Sequence, residues 1–240
     1  LFEVTGVQTC ALPISIKEYK GIKPVFFGLD EKNEVYADEI VSCGLKGTRC
    51  RIHLGDRVFS VLVPVPGRHM VYNALAAAAV GRIYGLTDEE IRQGIESLET
   101  LSGRFHIIET DQFLIVDDCY NANPMSMKAS LDVLSEGSGR RVAILGDMGE
   151  LGENEVQLHR QVGEHAGKCG IDLCICAGAL SRHIAEGAGE ANPDLEIIYE
   201  ESREALLAKL PSYLQKGDTI LVKASHFMGF EEIVKVLQEI

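Results

Sequence analysis

The sequence predicts an α/β protein, and three observations carry the prediction. From His106 onward, short apolar runs alternate with segments of helical length. Such alternation builds a mostly parallel, Rossmann-like sheet with helices on both faces. From Pro24 to Pro66 the pattern is β throughout, punctuated by Gly, Asp and Asn. Between these blocks, an Ala- and Val-rich run from Met70 and the sequence Thr87-Asp-Glu-Glu90 read as two helices.

In chain order, residues 25–27, 34–36, 49–53 and 58–63 are β-branched or aromatic and read as strands. Arg49 to Leu54 alternates polar and apolar, the period of a half-buried antiparallel strand, and Gly55-Asp56 is its turn. The run from Met70 to Tyr84 is expected to be a well-buried helix. Thr87 and Glu90 form a capping box opening a helix to about Leu98. A domain boundary is placed near Arg104, dividing 15–104 from 105–240. Beyond it, strands are expected at 106–109, 113–117, 141–145, 173–177, 196–199 and 219–223. Helices are expected at 123–136, 155–169, 181–188, 202–214 and 230–240, the first with Asn123 as N-cap and Pro124 at N1.

Composition narrows the function classes. The chain has 240 residues, 46% of them hydrophobic, enough for real cores. Its formal net charge is −13 with no dense Lys/Arg cluster, which argues against nucleic-acid or anionic-membrane partners. No apolar stretch approaches a membrane span. The seven cysteines contain no C-x-x-C pair and read as free thiols of a reducing cytoplasm. Residues 1–14 match the conceptual translation of a sequencing adapter, so they are set aside and the natural protein is expected to continue upstream.

Ligands of such sheets bind at the carboxyl ends of strands, so the loops there hold the candidate residues. The first, Asp117-Asp-Cys-Tyr-Asn-Ala-Asn-Pro124, gathers two carboxylates, a phenol and two carboxamides at a helix N-terminus. Asn123 alone is read as a helix cap. The second, Leu145-Gly-Asp-Met-Gly-Glu-Leu-Gly152, lacks dinucleotide spacing, and Asp147 and Glu150 would repel a pyrophosphate. It suits an incoming amine or is a plain connection. In the third, Lys223 and Ser225 could hold a carboxylate or phosphate; a lone Lys there is more often solvated. Asn73 is a structural amide or a base reader. Arg104 either bridges phosphates or forms an interdomain ion pair. No metal-ligand spacing, G-x-S-x-G or G-x-x-x-x-G-K-[ST] run is present, and the seven histidines read as structural or surface groups.

Taken together, Gly67-Arg-His…Asn73-Ala-Leu-Ala-Ala, Gly103-Arg-Phe, Asp118-x-Tyr-Asn-Ala-Asn-Pro124, Gly146-Asp-Met-Gly-Glu-Leu-Gly152 and Lys223-Ala-Ser resemble the Mur ligase family over nearly all of 20–240. The Tyr120-Asn-Ala-Asn-Pro124 and Gly146-Asp-Met-Gly-Glu-Leu-Gly152 blocks resemble the branch that joins D-Ala-D-Ala to UDP-MurNAc-tripeptide. The resemblance implies that 15–104 is the truncated end of a central ATPase domain and 105–240 the C-terminal domain. It implies a cytoplasmic, ATP- and Mg²⁺-dependent amide ligase of peptidoglycan precursor synthesis, working through an acyl phosphate, and a monomer is expected.

The resemblance places His69 and Asn73 near the nucleotide, Arg104 on its phosphates and Asp118 beside it as catalytic groups. It places Tyr120, Asn121 and Asn123, with Asp147, Met148, Glu150 and Leu151, around the dipeptide, and Lys223 and Ser225 at a substrate carboxylate. Met70 stands where the family usually has Asn; Ala224 and His226 stand where Gly and Arg are common. The phosphate loop, Mg²⁺ carboxylate, modified lysine and nucleotide-sugar domain have no counterpart, so the chain alone is expected to be inactive. Other readings are a polyglutamate- or cyanophycin-type ligase, a non-catalytic module binding D-Ala-D-Ala or a partner, and a dehydrogenase domain, which the acidic glycine loop disfavours.

Overall fold

A computed structural model describes residues 23–240, so the stretch 1–14 set aside above lies outside the described residues. The chain divides between Glu99 and Thr100 into two compact units.

The first unit holds a four-stranded sheet in chain order: β1 (Phe27–Gly28), β2 (Val35–Ser42), β3 (Thr48–Leu54) and β4 (Arg57–Val63). β1 runs parallel to β2, and the other neighbours are antiparallel. In β3 the alternation is realised: Thr48, Cys50, Ile52 and Leu54 are buried. Gly55, at φ 72°, and Asp56 close the hairpin between Leu54 and Arg57. The expected strand at 25–27 shrinks to Phe27–Gly28, whereas that at 34–36 extends to Ser42. Acidic residues disfavour strands. Here a register shift between Asp38 and Val41, with Glu39 at φ 49°, carries the strand past them. Arg51 on β3 holds both, at 2.8 Å from Asp38 and 3.0 Å from Glu39.

Two helices follow, α1 (Met70–Ile83) and α2 (Asp88–Glu96). α1 packs on the sheet through Val71, Ala74, Leu75 and Ala78. It is not buried all round: Val80 and Ile83 are exposed. The capping box at α2 is complete, with the Glu90 amide donating to Thr87 Oγ1 at 3.2 Å and the Thr87 amide donating to Glu90 at 2.8 Å.

The second unit is a six-stranded sheet flanked by helices. Its elements are β5 (His106–Glu109), β6 (Leu114–Asp117), α3 (Pro124–Ser135), β7 (Arg141–Gly146), α4 (Glu155–Lys168), β8 (Leu173–Ala177), α5 (Arg182–Ala191), β9 (Glu196–Glu200), α6 (Arg203–Tyr213), β10 (Thr219–Lys223) and α7 (Glu231–Glu239). The strand order is β5-β6-β10-β7-β8-β9, and only β5 runs antiparallel to its neighbour. β8 and β10 are buried along their whole length, as continuous apolar strands of a doubly covered sheet are. One face buries Ile115, Ile144, Ile175 and Val222 against Leu206, Phe230 and Ile233 from the α6–α7 side. α3 packs on β7 and β10, and α5 on β8 and β9. The α/β reading, with a Rossmann-like second unit, is what the fold shows. Among the described residues, no helix is long and apolar enough to cross a membrane.

α4 and α5 approach closely because glycines line the contact. A Cβ on Gly163 would meet the carbonyl of Ile184, and one on Gly187 the carbonyl of Arg160. Helix propensity alone would make Gly163→Ala stabilising by about 1 kcal/mol. The contact reverses the sign. Gly163→Ala is expected to destabilise by about 1–3 kcal/mol in urea unfolding, the range for overpacking. A gain in stability would show that the helices can part at no cost.

Candidate functional site

β10 enters the sheet between β6 and β7, although β6 leads through α3 directly to β7. The carboxyl ends of these three strands therefore meet where the connections diverge, the position at which open α/β sheets bind ligands. In register, Val222 lies opposite Asp117 and Lys223 opposite Leu145.

Lys223 is buried, contrary to the solvated reading of a lone Lys. Its ammonium lies 2.5 Å from Asp118 Oδ2 and donates to the Asn121 carbonyl at 3.0 Å and to that of Asp118 at 3.4 Å. Its alternation with Val222, which joins the α6–α7 core, turns it to the opposite face of the sheet. The charge is tolerated there because a carboxylate and two carbonyls take up its donors.

Asp117 and Asp118 together hold the segment entering the unit. Asp117 Oδ2 accepts the Ser102 hydroxyl at 3.0 Å and the Gly103 amide at 2.7 Å. Asp118 Oδ1 accepts the Phe105 amide at 3.1 Å, and its Oδ2 accepts the Ser130 hydroxyl at 2.7 Å. The Tyr120 amide donates back to the Gly103 carbonyl at 2.9 Å. Gly103 sits at φ 78° and Phe105 at φ 55°. Phe105 thus occupies a left-handed conformation that costs about 1–2 kcal/mol, offset by its charge-assisted bond to Asp118. Cys119 donates its thiol to Asp117 at 3.0 Å; burial and that carboxylate push its ionisation well above the usual thiol range.

This clasp presents Arg104 outward. Its guanidinium lies 4.1 Å from the centroid of the exposed Tyr120 ring, a cation–π contact, and the His226 ring lies 5.3 Å beyond. Asn121 and Asn123 are exposed beside it. Asn123 Oδ1 caps α3 by accepting the Ser126 amide at 2.9 Å, as the sequence indicates.

The glycine loop after β7 is tied down more than its composition suggests. Asp147 is buried, and its Oδ1 accepts the amides of Leu180 at 3.1 Å and Ser181 at 2.6 Å, at the start of α5. A carboxylate from the loop thus occupies an anion-favouring helix end. Met148 is buried, and its amide donates to His159 at 2.8 Å. Ser225 is buried too: its hydroxyl accepts the Gly149 amide at 2.9 Å. Glu150, at φ 60°, turns outward and is exposed, while Leu151 is half-buried. Gly146 has a packing reason, since a Cβ there would lie 2.7 Å from Ala224 Cβ. The Ala224 methyl belongs to the α6–α7 core rather than to a ligand surface.

In the first unit, Asn73 is exposed rather than inside a buried helix, and its amide donates to Met70 Sδ at 3.4 Å. Met70 thus engages Asn73 at the position where the resemblance expected another amide. His69 is exposed just before α1. The second unit brings together Arg104, Asp118, Tyr120, Asn121, Asn123, Lys223 and Ser225 around the ends of β6 and β10, with the 147–151 loop after β7. Sequence reasoning passed over Ser102, Ser130 and His159. For His159 a signal existed: Val162 and Ala166 place it on the apolar stripe of α4. Among the described residues, no group of three or more His, Cys, Asp or Glu is arranged to hold a metal ion.

Comparison with known proteins follows the same division. The family described as Mur ligase, glutamate ligase domain, matches residues 103–226, and the Mur ligase middle domain matches residues 12–81. The UDP-N-acetylmuramoyl-tripeptide–D-alanyl-D-alanine ligase of Escherichia coli K12 is 40% identical over 198 residues, covering 80% of this chain and 42% of its own length. The enzyme of the same name from Bacillus subtilis 168 is 36% identical over 216 residues, 89% of this chain and 47% of its own. A crystal structure of MurF from Acinetobacter baumannii superposes with a TM-score of 0.79 at 30% identity, covering 89% of this chain and 47% of that one. MurF ligase from Thermotoga maritima in complex with ADP gives 0.73 at 26% identity, covering 90% and 48%. The chain spans under half the length of the curated relatives it matches.

The clasp makes Gly103 a conformational requirement. Gly103→Ala must hold a side chain at positive φ, with its Cβ 3.1 Å from Tyr120 Cβ. It is expected to cost about 1–2 kcal/mol in urea unfolding and to speed hydrogen exchange of the Tyr120 amide. Unchanged stability and exchange would show that the clasp is not needed.

Proposed function

This chain belongs to the Mur ligase family, and from that premise we propose that it serves in an ATP-dependent ligase joining D-Ala-D-Ala to UDP-MurNAc-tripeptide. The observation that carries the reading is the convergence of Arg104, the strand-end carboxylates and the Tyr120–Asn123 loop at the switch point of the second unit. The names of the relatives support the substrate pair. In this reading the first unit is the end of a central ATPase domain, and the second unit, which takes in Arg104, is the C-terminal domain.

The tripeptide carboxylate attacks the γ-phosphorus of ATP, giving an acyl phosphate and ADP. The amine of D-Ala-D-Ala then attacks the acyl carbon. The tetrahedral intermediate expels phosphate, and the nitrogen loses its proton to leave the amide. Charge concentrates on phosphate oxygens, so positioned cations and donors supply much of the catalysis. Arg104 suits that work: no described residue hydrogen-bonds its guanidinium, and the Tyr120 ring orients it. Asp118 acts by anchoring the Arg104 segment through the Phe105 amide. Asn73 and His69 offer exposed polar groups toward a nucleotide base.

The Tyr120–Asn123 loop and the exposed Glu150 suit the dipeptide: carboxamides for its carboxylate, an acid for its ammonium. Lys223 and Ser225 act from below by fixing these loops. Mg²⁺ would neutralise phosphate charge, but among the described residues no cluster of ligating groups fits it. The carboxylates of Asp117 and Asp118 are engaged by donors of the chain itself, and the sequence has no G-x-x-x-x-G-K-[ST] run. In this reading Arg104 is the contact these residues offer to the phosphates.

Phosphate release in the presence of ATP, the tripeptide nucleotide and D-Ala-D-Ala tests the proposal. The 240-residue chain alone is expected to release none above background. In the longest form of the protein that its gene encodes, release should depend on D-Ala-D-Ala, and Arg104→Ala should lower kcat about a hundredfold, the cost of one preorganised donor. Release driven by glutamate or aspartate instead of D-Ala-D-Ala would assign the chain to another amide ligase.

A further inference from the structure

We infer that His159 is a positioning residue that holds the Asp147–Leu151 loop in the conformation facing the incoming amine. The inference rests on the reading that this loop serves the dipeptide. His159 is fully buried on α4. Its Nε2 lies 2.8 Å from the Met148 amide, which can only donate. Its Nδ1 lies 2.7 Å from the Glu155 carbonyl, which can only accept. The two contacts together select one neutral tautomer, with the proton on Nδ1 and a lone pair on Nε2.

The loop needs such a tie because Gly149 within it, and Gly146 and Gly152 at its two ends, give it little stiffness of its own. Asp147 anchors it to α5 and Ser225 anchors Gly149. His159 supplies the tie to α4 between them. Past these ties, Glu150 and Gly152 take positive φ, and Glu150 is turned into solvent. A loosened Met148 would let the Glu150 carboxylate wander.

The charges around His159 pull in two directions. Burial acts most strongly and lowers its proton affinity; Asp147 after β7 and Glu155 on its own helix raise it, and His183 on α5 lowers it. The net direction is down, so the folded imidazole stays neutral to lower pH than a free one. As pH falls below about 6.5, the unfolded chain takes up the proton first. The contribution to stability is therefore full above that range and is lost as pH falls below it, while the tie itself persists in the folded chain until the buried ring protonates at lower pH and has no lone pair left for Met148.

The test compares His159→Leu, which keeps bulk without an acceptor, with His159→Gln, whose carbonyl oxygen can take the place of Nε2. Exchange of the Met148 amide should speed about tenfold in H159L, the loss of one buried hydrogen bond, with β8 amides unchanged and H159Q close to wild type. In the active ligase, H159L should raise KM for D-Ala-D-Ala several-fold and leave KM for ATP alone. Nitrogen-15 spectra of the wild-type ring should show Nδ1 protonated and Nε2 bare, a readout that stands even if H159L does not fold. A ring protonated on Nε2, or unchanged Met148 exchange in H159L, overturns the inference. Faster exchange with an unchanged dipeptide KM overturns the positioning role. Failure of the wild-type ligase to use D-Ala-D-Ala at all would instead sink the proposed function, and the exchange result would still judge the tie.

Discussion

The second unit is organised around one buried ion pair, Lys223 with Asp118. An ammonium in a sheet interior costs several kcal/mol of desolvation, and one carboxylate rarely compensates. Here the Asn121 and Asp118 carbonyls complete its coordination. The pair then has consequences in both directions along the chain. Asp118 reaches back to Phe105 and down to Ser130 on α3. Lys223, through Asn121, fixes the loop that carries Tyr120. Arg104, next to Phe105 in the chain and against the Tyr120 ring, is thereby set by the two segments that the pair fixes.

The same logic recurs after β7. Three glycines and two acids describe a mobile, negatively charged loop, yet most of its polar groups are spent on the scaffold. Asp147 occupies the start of α5, Met148 leans on His159, and Gly149 on Ser225. What faces solvent is a short list: Glu150, with Arg104, Tyr120, Asn121 and Asn123 across the strand ends. A rigid lower layer and an exposed upper layer suit a reaction whose catalysis is largely positioning.

Much of this was legible in the sequence. Apolar runs such as Leu173–Ala177 located the parallel strands, and the Thr87 and Asn123 caps located helix starts. Other features depend on contacts that no local pattern encodes. A lysine after an apolar strand reads as solvated until Asp118, far away in sequence, supplies its partner. β2 continues through Asp38 and Glu39 across a register shift, with Arg51 on β3 pairing both acids. The Ala-rich α1 has weak amphipathic contrast, so the exposed side of Asn73 could not be told from the buried side. Ala224 read as a departure near a ligand, whereas its methyl completes the core above Gly146.

The most direct test of this account is a double-mutant cycle between Asp118 and Lys223, using Asp118→Ala, Lys223→Met and the pair in urea unfolding. If the ion pair anchors the strand ends, the two losses should be strongly non-additive, with a coupling above about 1.5 kcal/mol. Additive losses would mean that the residues act independently, and the account of the site as one connected node would be wrong.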